Sequence, residues 1–406
     1  MNTILYINKL KINVILIFFF SVNFTLAQSY RGLSVLSENE IWASGSKGTV
    51  VHTLNGGTSF DTLSPKGFGR KDFRDIQAFN SQSALIMSAG DSAVFLKTTN
   101  HGKSWKVVYQ DNRPGIFFDV IEINPKSGVG IAMGDPLPDS LFNPSLKNST
   151  EKHFVALYSI DFGDHWQAIP NGTWNLATDN LSSMYAASGT SLVYNKLELT
   201  VTQMEPVITM DFYFAGGGFF SGQVRQVILS FNQKNISKTF EYLSFPYQLS
   251  FPSGDGWGIY GMQLMNNQLF CAGGHWKYPN TKDSFSYIID LTKVTYSLKN
   301  KKIESKIAFN NQIIPQNGYR SGIYMYQPTN SRKFKFIGVS VGSNGIDKIE
   351  IPQNGPSKMT TTSLLNHPYK DLKGVNSCKG IGKSIWVVGN KGLIFRINTA
   401  QLFGDF

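Results

Sequence analysis

Three arginines in this chain share a local setting. They lie in Tyr30-Arg31-Gly32-Leu33, Phe73-Arg74-Asp75-Ile76 and Tyr319-Arg320-Ser321-Gly322. A planar guanidinium donates two parallel hydrogen bonds to a carboxylate, so arginines that converge can hold an anionic group. Asp75, Asp119 and Lys373 stand in equivalent phrases, Phe118-Asp119-Val120-Ile121 and Leu372-Lys373-Gly374-Val375 among them. The expected chemistry is therefore binding of a carboxylate or another anion by Arg31, Arg74, Asp75, Asp119, Arg320 and Lys373. An alternative use of the same side chains is structural, each arginine pairing with a neighbour such as Asp75 or Asp119.

Residues so far apart meet only if repeated elements bring them together. A second phrase, a buried run ending in glycine, recurs seven times. Ile41-Trp42-Ala43-Ser44-Gly45 near the start echoes Ile385-Trp386-Val387-Val388-Gly389 near the end. A third repeat is a turn: Thr53 to Phe60, Thr98 to Trp105 and Ser159 to Trp166. In each, Asn55, Asn100 or Asp161 can accept from backbone N–H groups two residues on. Gly57, Gly102 and Gly163 supply positive φ, and Phe60, Trp105 and Trp166 bury a ring between units. These turns resemble the Asp-box of bacterial neuraminidase repeats, whose role is structural. Repeats of this length imply one repeated fold, here all-β: a seven-bladed β-propeller of four-stranded antiparallel blades starting near residues 30, 72, 116, 183, 256, 317 and 371. The last blade runs out near Arg396, and the expectation allows it to be incomplete. Boxes are eroded in blades four to six, with Ser230-Phe231-Asn232-Gln233 a remnant.

Together with YRGLS (30–34), DFRDIQAF (72–79), MGDP (133–136), AASGT (186–190), CAGG (271–274) and WVVGNKG (386–392), the repeats resemble exported bacterial propellers similar to the photosystem II stability/assembly factor family. That resemblance implies a non-catalytic scaffold that binds a protein or anionic partner. It also carries the oxidoreductase label given to some family members. In such a ring the first strands line the axis, so the six candidates converge at its mouth. Two long loops open on the same face and supply rim candidates Asp135, Trp276 and Tyr278.

Residues 1–27 read as a signal peptide, with Lys9 and Lys11 before an apolar run and cleavage expected after Ala27. Residues 28–406 then form a single domain, periplasmic or secreted. The chain of 406 residues carries a net charge of +11, which becomes +9 without Lys9 and Lys11. Scattered basic residues without a recognition motif argue against nucleic acid. Cys271 and Cys378 fall in non-adjacent blades and are expected to be unbridged core residues. The expected partner is a protein or acidic ligand, membrane contact comes only through it, and the chain is expected to be a monomer.

Catalytic patterns are sparse. Tyr30-Arg31 loosely resembles the opening motif of sialidases, for which Tyr319 is a nominal nucleophile and Asp75 or Asp119 a nominal acid. No glutamate has a claim, and binding is the favoured reading. The six histidines show no ligand-like spacing, and His101 and His165 read as solvent-exposed turn residues. No metal or cofactor is expected.

Overall fold

The computed structural model describes residues 28–404, apart from 91, 148, 150, 170–181, 186, 202–205, 219–222, 233–240, 249–253, 282–283, 300–301, 308–311, 354–359 and 364–371. The signal-peptide expectation lies outside the described residues. Strands dominate, and no helix among the described residues is long and apolar enough to cross a membrane.

The first sheet is β1 (Tyr30–Val35), β2 (Ile41–Gly45), β3 (Val50–Thr53) and β4 (Asp61–Thr62), paired in order. The second is β5 (Asp72–Ala78), β6 (Ala84–Ala89), β7 (Ala93–Thr98) and β8 (Lys106–Asp111). The third is β9 (Phe118–Ile123), β10 (Gly130–Pro138), β11 (Lys152–Ser159) and β12 (Gln167–Ala168). A short β13 (Ser182–Ser183) precedes the fourth sheet: β14 (Leu192–Val201), β15 (Pro206–Gly218), β16 (Gln223–Asn232) and β17 (Glu241–Gln248).

The fifth group pairs β18 (Trp257–Met265), β19 (Gln268–His275), β20 (Phe285–Asp290) and β23 (Gln312–Pro315), and is joined to the fourth in one nine-stranded sheet by a single β15–β18 pair, Gly217 with Gly258. The hairpin of β21 (Val294–Lys299) and β22 (Lys302–Ile307) is inserted before β23. The sixth contains β24 (Gly322–Tyr326), β25 (Phe334–Gly342), β26 (Gly345–Pro352) and β27 (Thr360–Ser363). The last has three strands, β28 (Val375–Ile381), β29 (Ser384–Gly389) and β30 (Ile394–Asn398). All these pairings are antiparallel.

Two sequence expectations need correction. Ala187-Ser188-Gly189-Thr190 is a connection before β14 and not a first strand. Ser230 to Asn232 ends strand β16 and is not a turn remnant. Both errors come from reading short phrases where the strands run long, up to 13 residues in β15.

The strands alternate, so each sheet buries apolar side chains against both neighbours. Trp42, Phe73, Ile76 and Ile86 join the first sheet to the second. Leu85, Phe95, Phe118 and Leu157 join the second to the third. Similar clusters follow along the chain, and one places Tyr30, Leu33, Ile41 and Ala43 of the first sheet against Trp386 and Val388 of the last. Strand β1 contacts both β5 and β28. Cys271 and Cys378 are buried and unbridged.

The three repeated turns share one hydrogen-bond pattern. The hydroxyls of Thr53, Thr98 and Ser159 accept from the N–H of Gly57, Gly102 and Gly163 at 3.1, 3.0 and 2.9 Å. Asn55, Asn100 and Asp161 each accept, at 3.0 Å, from the N–H four residues on. The sequence expectation placed that contact two residues on; the hydroxyl occupies the nearer N–H groups and pushes the amide or carboxylate to the later one. Phe60, Trp105 and Trp166 are half-buried, and Trp105 donates to the Leu63 carbonyl at 2.8 Å.

Gly163 has φ +79, and a Cβ there would stand 2.8 Å from Leu85 Cδ2. Gly163→Ala therefore meets both left-handed strain and a packed neighbour. Urea denaturation is expected to show a loss of about 1–3 kcal/mol. An unchanged midpoint would mean that the turn is not under this constraint.

Candidate functional site

The first strands carry a repeated irregularity. In β1 the pairing shifts between Tyr30 and Gly32, leaving Arg31 as the extra residue. The same shift leaves out Arg74 in β5, Asp119 in β9, Tyr260 in β18 and Asn376 in β28. A β-bulge inserts one unpaired residue and re-aims its side chain. All five bulged residues line one cavity of ≈ 440 Å³, with Phe117, Asp135, Tyr185, Trp276 and Tyr319 among its other walls.

Glycine on the second strand makes room for this geometry. A Cβ on Gly45, Gly134 or Gly389 would lie 2.1, 2.1 or 2.3 Å from the carbonyl oxygen two residues before the bulged one. This explains why the second-strand phrase ends in glycine.

Arg31 is half-buried and has no hydrogen bond or ion pair among the described residues. Burial, and then the charge of Arg74, push its pKa below the usual arginine value, while Tyr319 and Asp72 pull it back up. Arg74 uses Nε to bond Asp72 at 2.8 Å and lies 5.6 Å from the Phe117 ring centre. Asp119 is fully buried.

Across the cavity, Tyr185 and Tyr260 stack at 4.2 Å, and Tyr319 meets Tyr260 edge-on at 4.8 Å. Burial raises the Tyr319 hydroxyl well above the usual phenol range, although Arg31 and Arg74 oppose it. Asn376 ties the last sheet to the first, donating to the Tyr30 carbonyl at 2.8 Å.

Asp135 accepts from the Met184 N–H at 3.1 Å, yet burial pushes its pKa up to about 7. The folded state thus keeps a proton that the unfolded chain releases near the ordinary value of 3.8. Between these values the folded state binds more protons, so this group lowers stability as pH rises, and the penalty is complete above pH 7. Asp135→Asn keeps an acceptor for Met184 and removes that penalty. Denaturation is expected to show a gain of about 1–3 kcal/mol at pH 8, discounted for partial solvent access, and little change at pH 4. A gain of equal size at both pH values would contradict the assignment.

The other sequence candidates lie outside this lining. Arg320 is 1% exposed and binds Asp347, Nη2 to Oδ2 at 2.7 Å and Nε to Oδ2 at 3.0 Å. The reason is register. A Cβ on Gly342 would lie 2.0 Å from the Tyr319 carbonyl, as one on Gly45 would lie 2.1 Å from that of Ser29. Tyr319 therefore matches Ser29, and Ser321, which lines the cavity, matches Arg31. Aligning Tyr319-Arg320 with Tyr30-Arg31 is wrong by one residue, and one residue turns a strand side chain to the opposite side.

Asp75 is buried and accepts from the N–H of Ile76 and Ile121, each at 2.9 Å, tying β5 to β9. Burial raises it to about 6, against Lys379 and these two bonds. Lys373 is exposed and precedes β28. Tyr278 is exposed and packs on His275, ring centres 4.7 Å apart.

Sequence reasoning missed Tyr185, Tyr260 and Asn376. It also missed a second cavity of ≈ 350 Å³, lined by Ser34, Gln77, Glu122, Gln263, Tyr324 and Lys379. Each lies three positions after a residue of the first cavity that is in, or for Ser321 just before, a first strand: Arg31, Arg74, Asp119, Tyr260, Ser321 and Asn376. The first strands thus run from one cavity to the other. Burial raises Glu122 to about 7, with Lys379 opposing. His52 and His101, which no spacing in the sequence relates, meet at 2.8 Å.

No protein-family model and no curated protein matches the chain. Among solved structures it is similar to YCF48 bound to D1 peptide, at 13% identity and a TM-score of 0.46, over 92% of this chain and 94% of that one. It is similar to YCF48 from Cyanidioschyzon merolae, at 12% identity and 0.48, over 91% and 96%. It is also similar to the computationally designed Ika8 protein, at 10% identity and 0.42, over 91% and 96%.

Proposed function

We propose that the chain is an exported, closed seven-bladed β-propeller that binds an extended protein segment through a carboxylate held by Arg31 and Arg74. The ring reading rests on the apolar cluster between the first and last sheets and on the two cavities built from successive first strands. Export rests on the character of residues 1–27.

One observation carries the binding reading. The Arg31 guanidinium lines the cavity without a carboxylate or carbonyl partner among the described residues. Holding such a charge away from water is costly unless a ligand completes its hydrogen bonds. Arg74 adds a second guanidinium whose Nη atoms are not needed by the Asp72 bond. Asp135 on the same lining suits an N–H group of a bound backbone, and the tyrosines offer flat apolar contact. Separated cationic and anionic groups fit a segment carrying both donors and a carboxylate better than a simple anion.

The hydrolase alternative asks Tyr319 to act as a nucleophile. Its raised pKa, caused by burial, runs against that role.

Short fluorescent peptides with free or amidated C-termini provide the test. Free-acid peptides are expected to raise the anisotropy of the mixture, and amidation to weaken binding at least tenfold. Equal binding of both forms would reject the carboxylate reading. Turnover of a fluorogenic sialoside would replace it with catalysis.

A further inference from the structure

At the seam between the first and second sheets, away from the cavity, two histidines from distant parts of the chain converge. His52, on β3, is fully buried, and its Nδ1 lies 2.8 Å from Nε2 of His101, in the turn after β7. Asp61, on β4, places a carboxylate oxygen 3.8 Å from His101 Nε2. One donor atom from each of the three lies within 4.8 Å of the others.

A further contact sets the tautomer. His52 Nε2 lies 3.1 Å from Glu40 Oε1, and an ionised carboxylate only accepts, so Nε2 carries the proton. The Nδ1 lone pair of neutral His52 is then directed toward His101 and Asp61. Trp42 holds the ring plane by stacking on it at 4.3 Å and 24°. A carboxylate behind the distal nitrogen of a histidine is the usual support for a metal ligand.

We propose that His52 Nδ1, His101 Nε2 and the Asp61 carboxylate bind a divalent transition-metal ion, Zn²⁺ by its preference for two imidazoles and one carboxylate. Glu40 is the positioning residue. The fourth position opens to solvent on the side of Asp61 and His101, whose side chains are 63% and 22% exposed. Zinc binds imidazole nitrogen at about 2.0–2.1 Å, which in tetrahedral geometry separates two such nitrogens by about 3.3 Å. The His101 ring therefore has to retreat by about half an ångström. The ion would join the edge of the first sheet to the turn of the second.

The test is competition of the chelator-stripped protein with a chromophoric chelator for Zn²⁺ at pH 7.5, with Co²⁺ absorption as a second readout. The wild type is expected to take up one tight equivalent and to show the visible bands of tetrahedral Co²⁺. His101→Asn is the preferred variant because His101 has φ +57, which asparagine tolerates. It is expected to lose at least 100-fold in affinity together with the Co²⁺ bands, while keeping the wild-type circular dichroism. Glu40→Gln is expected to lose about 10–100-fold. Asp139, Glu151 and His153 form another group of possible ligands, and an ion held there would survive His101→Asn. A wild type that takes up no Zn²⁺, or a His101→Asn protein that binds it as tightly, overturns the proposal.

Discussion

Arg320→Ala is expected to lower the unfolding free energy by about 3–5 kcal/mol, because it strands a buried carboxylate. Asp347 is fully buried, and its oxygens accept from Arg320 Nε and Nη2 and from the backbone and side chain of Asn317, at 2.7–3.1 Å. Arg320 Nη1 also donates to the Tyr319 carbonyl at 2.8 Å and to Asn344. Burial lowers the Arg320 pKa, and Asp347 restores part of it. The cost comes from the partner left behind, so Arg320→Met with Asp347→Leu is expected to destabilise less than Arg320→Met alone. Urea melts of the two variants decide this. A double variant worse than the single one would show that packing, and not the stranded charge, dominates. The same alanine variant, assayed where it remains folded, is expected to bind carboxylate peptides as the wild type does.

Arg31→Ala should do the reverse. A hydrogen bond to a charged group contributes about 1.5–3 kcal/mol, which predicts about a 10–150-fold loss of peptide affinity. Stability should not fall and is expected to rise, since Arg31 has no partner in the described structure to lose and its removal relieves the cost of an unpaired, partly desolvated charge. Arg74→Ala should cost less affinity, because Asp72 already holds its Nε. Anisotropy titrations in low salt would measure both. Full affinity in Arg31→Ala would show that the ligand does not reach this guanidinium, even if peptides still bind.

Much of the architecture was readable from local phrases. The glycine-ended runs lie in second strands because a Cβ at Gly45, Gly134 or Gly389 would collide with the neighbouring first strand. The repeated turns were readable for a similar reason: hydroxyl, amide and glycine at fixed spacing satisfy one another without help from the rest of the chain. The aromatic residues before Arg31, Arg74 and Asp119 also marked first strands.

The cavity was less legible. Sequence comparison places Arg320 with Arg31, whereas the pairing with β25 makes Ser321 the equivalent residue. It had no means of choosing Tyr260 or Asn376, whose phrases resemble ordinary buried strand. The histidine pair is a sharper case, because 49 residues separate His52 from His101. Nothing in either phrase specifies the seam where they meet.

By itself the order of amino acids determined the strand-and-turn repeat, since alternation, left-handed glycine and hydroxyl capping act over a few residues. Only the tertiary structure decided which side chain of each first strand faces the cavity. That choice depends on where a bulge interrupts the pairing, and pairing is a contact between segments that the chain brings together only when it folds.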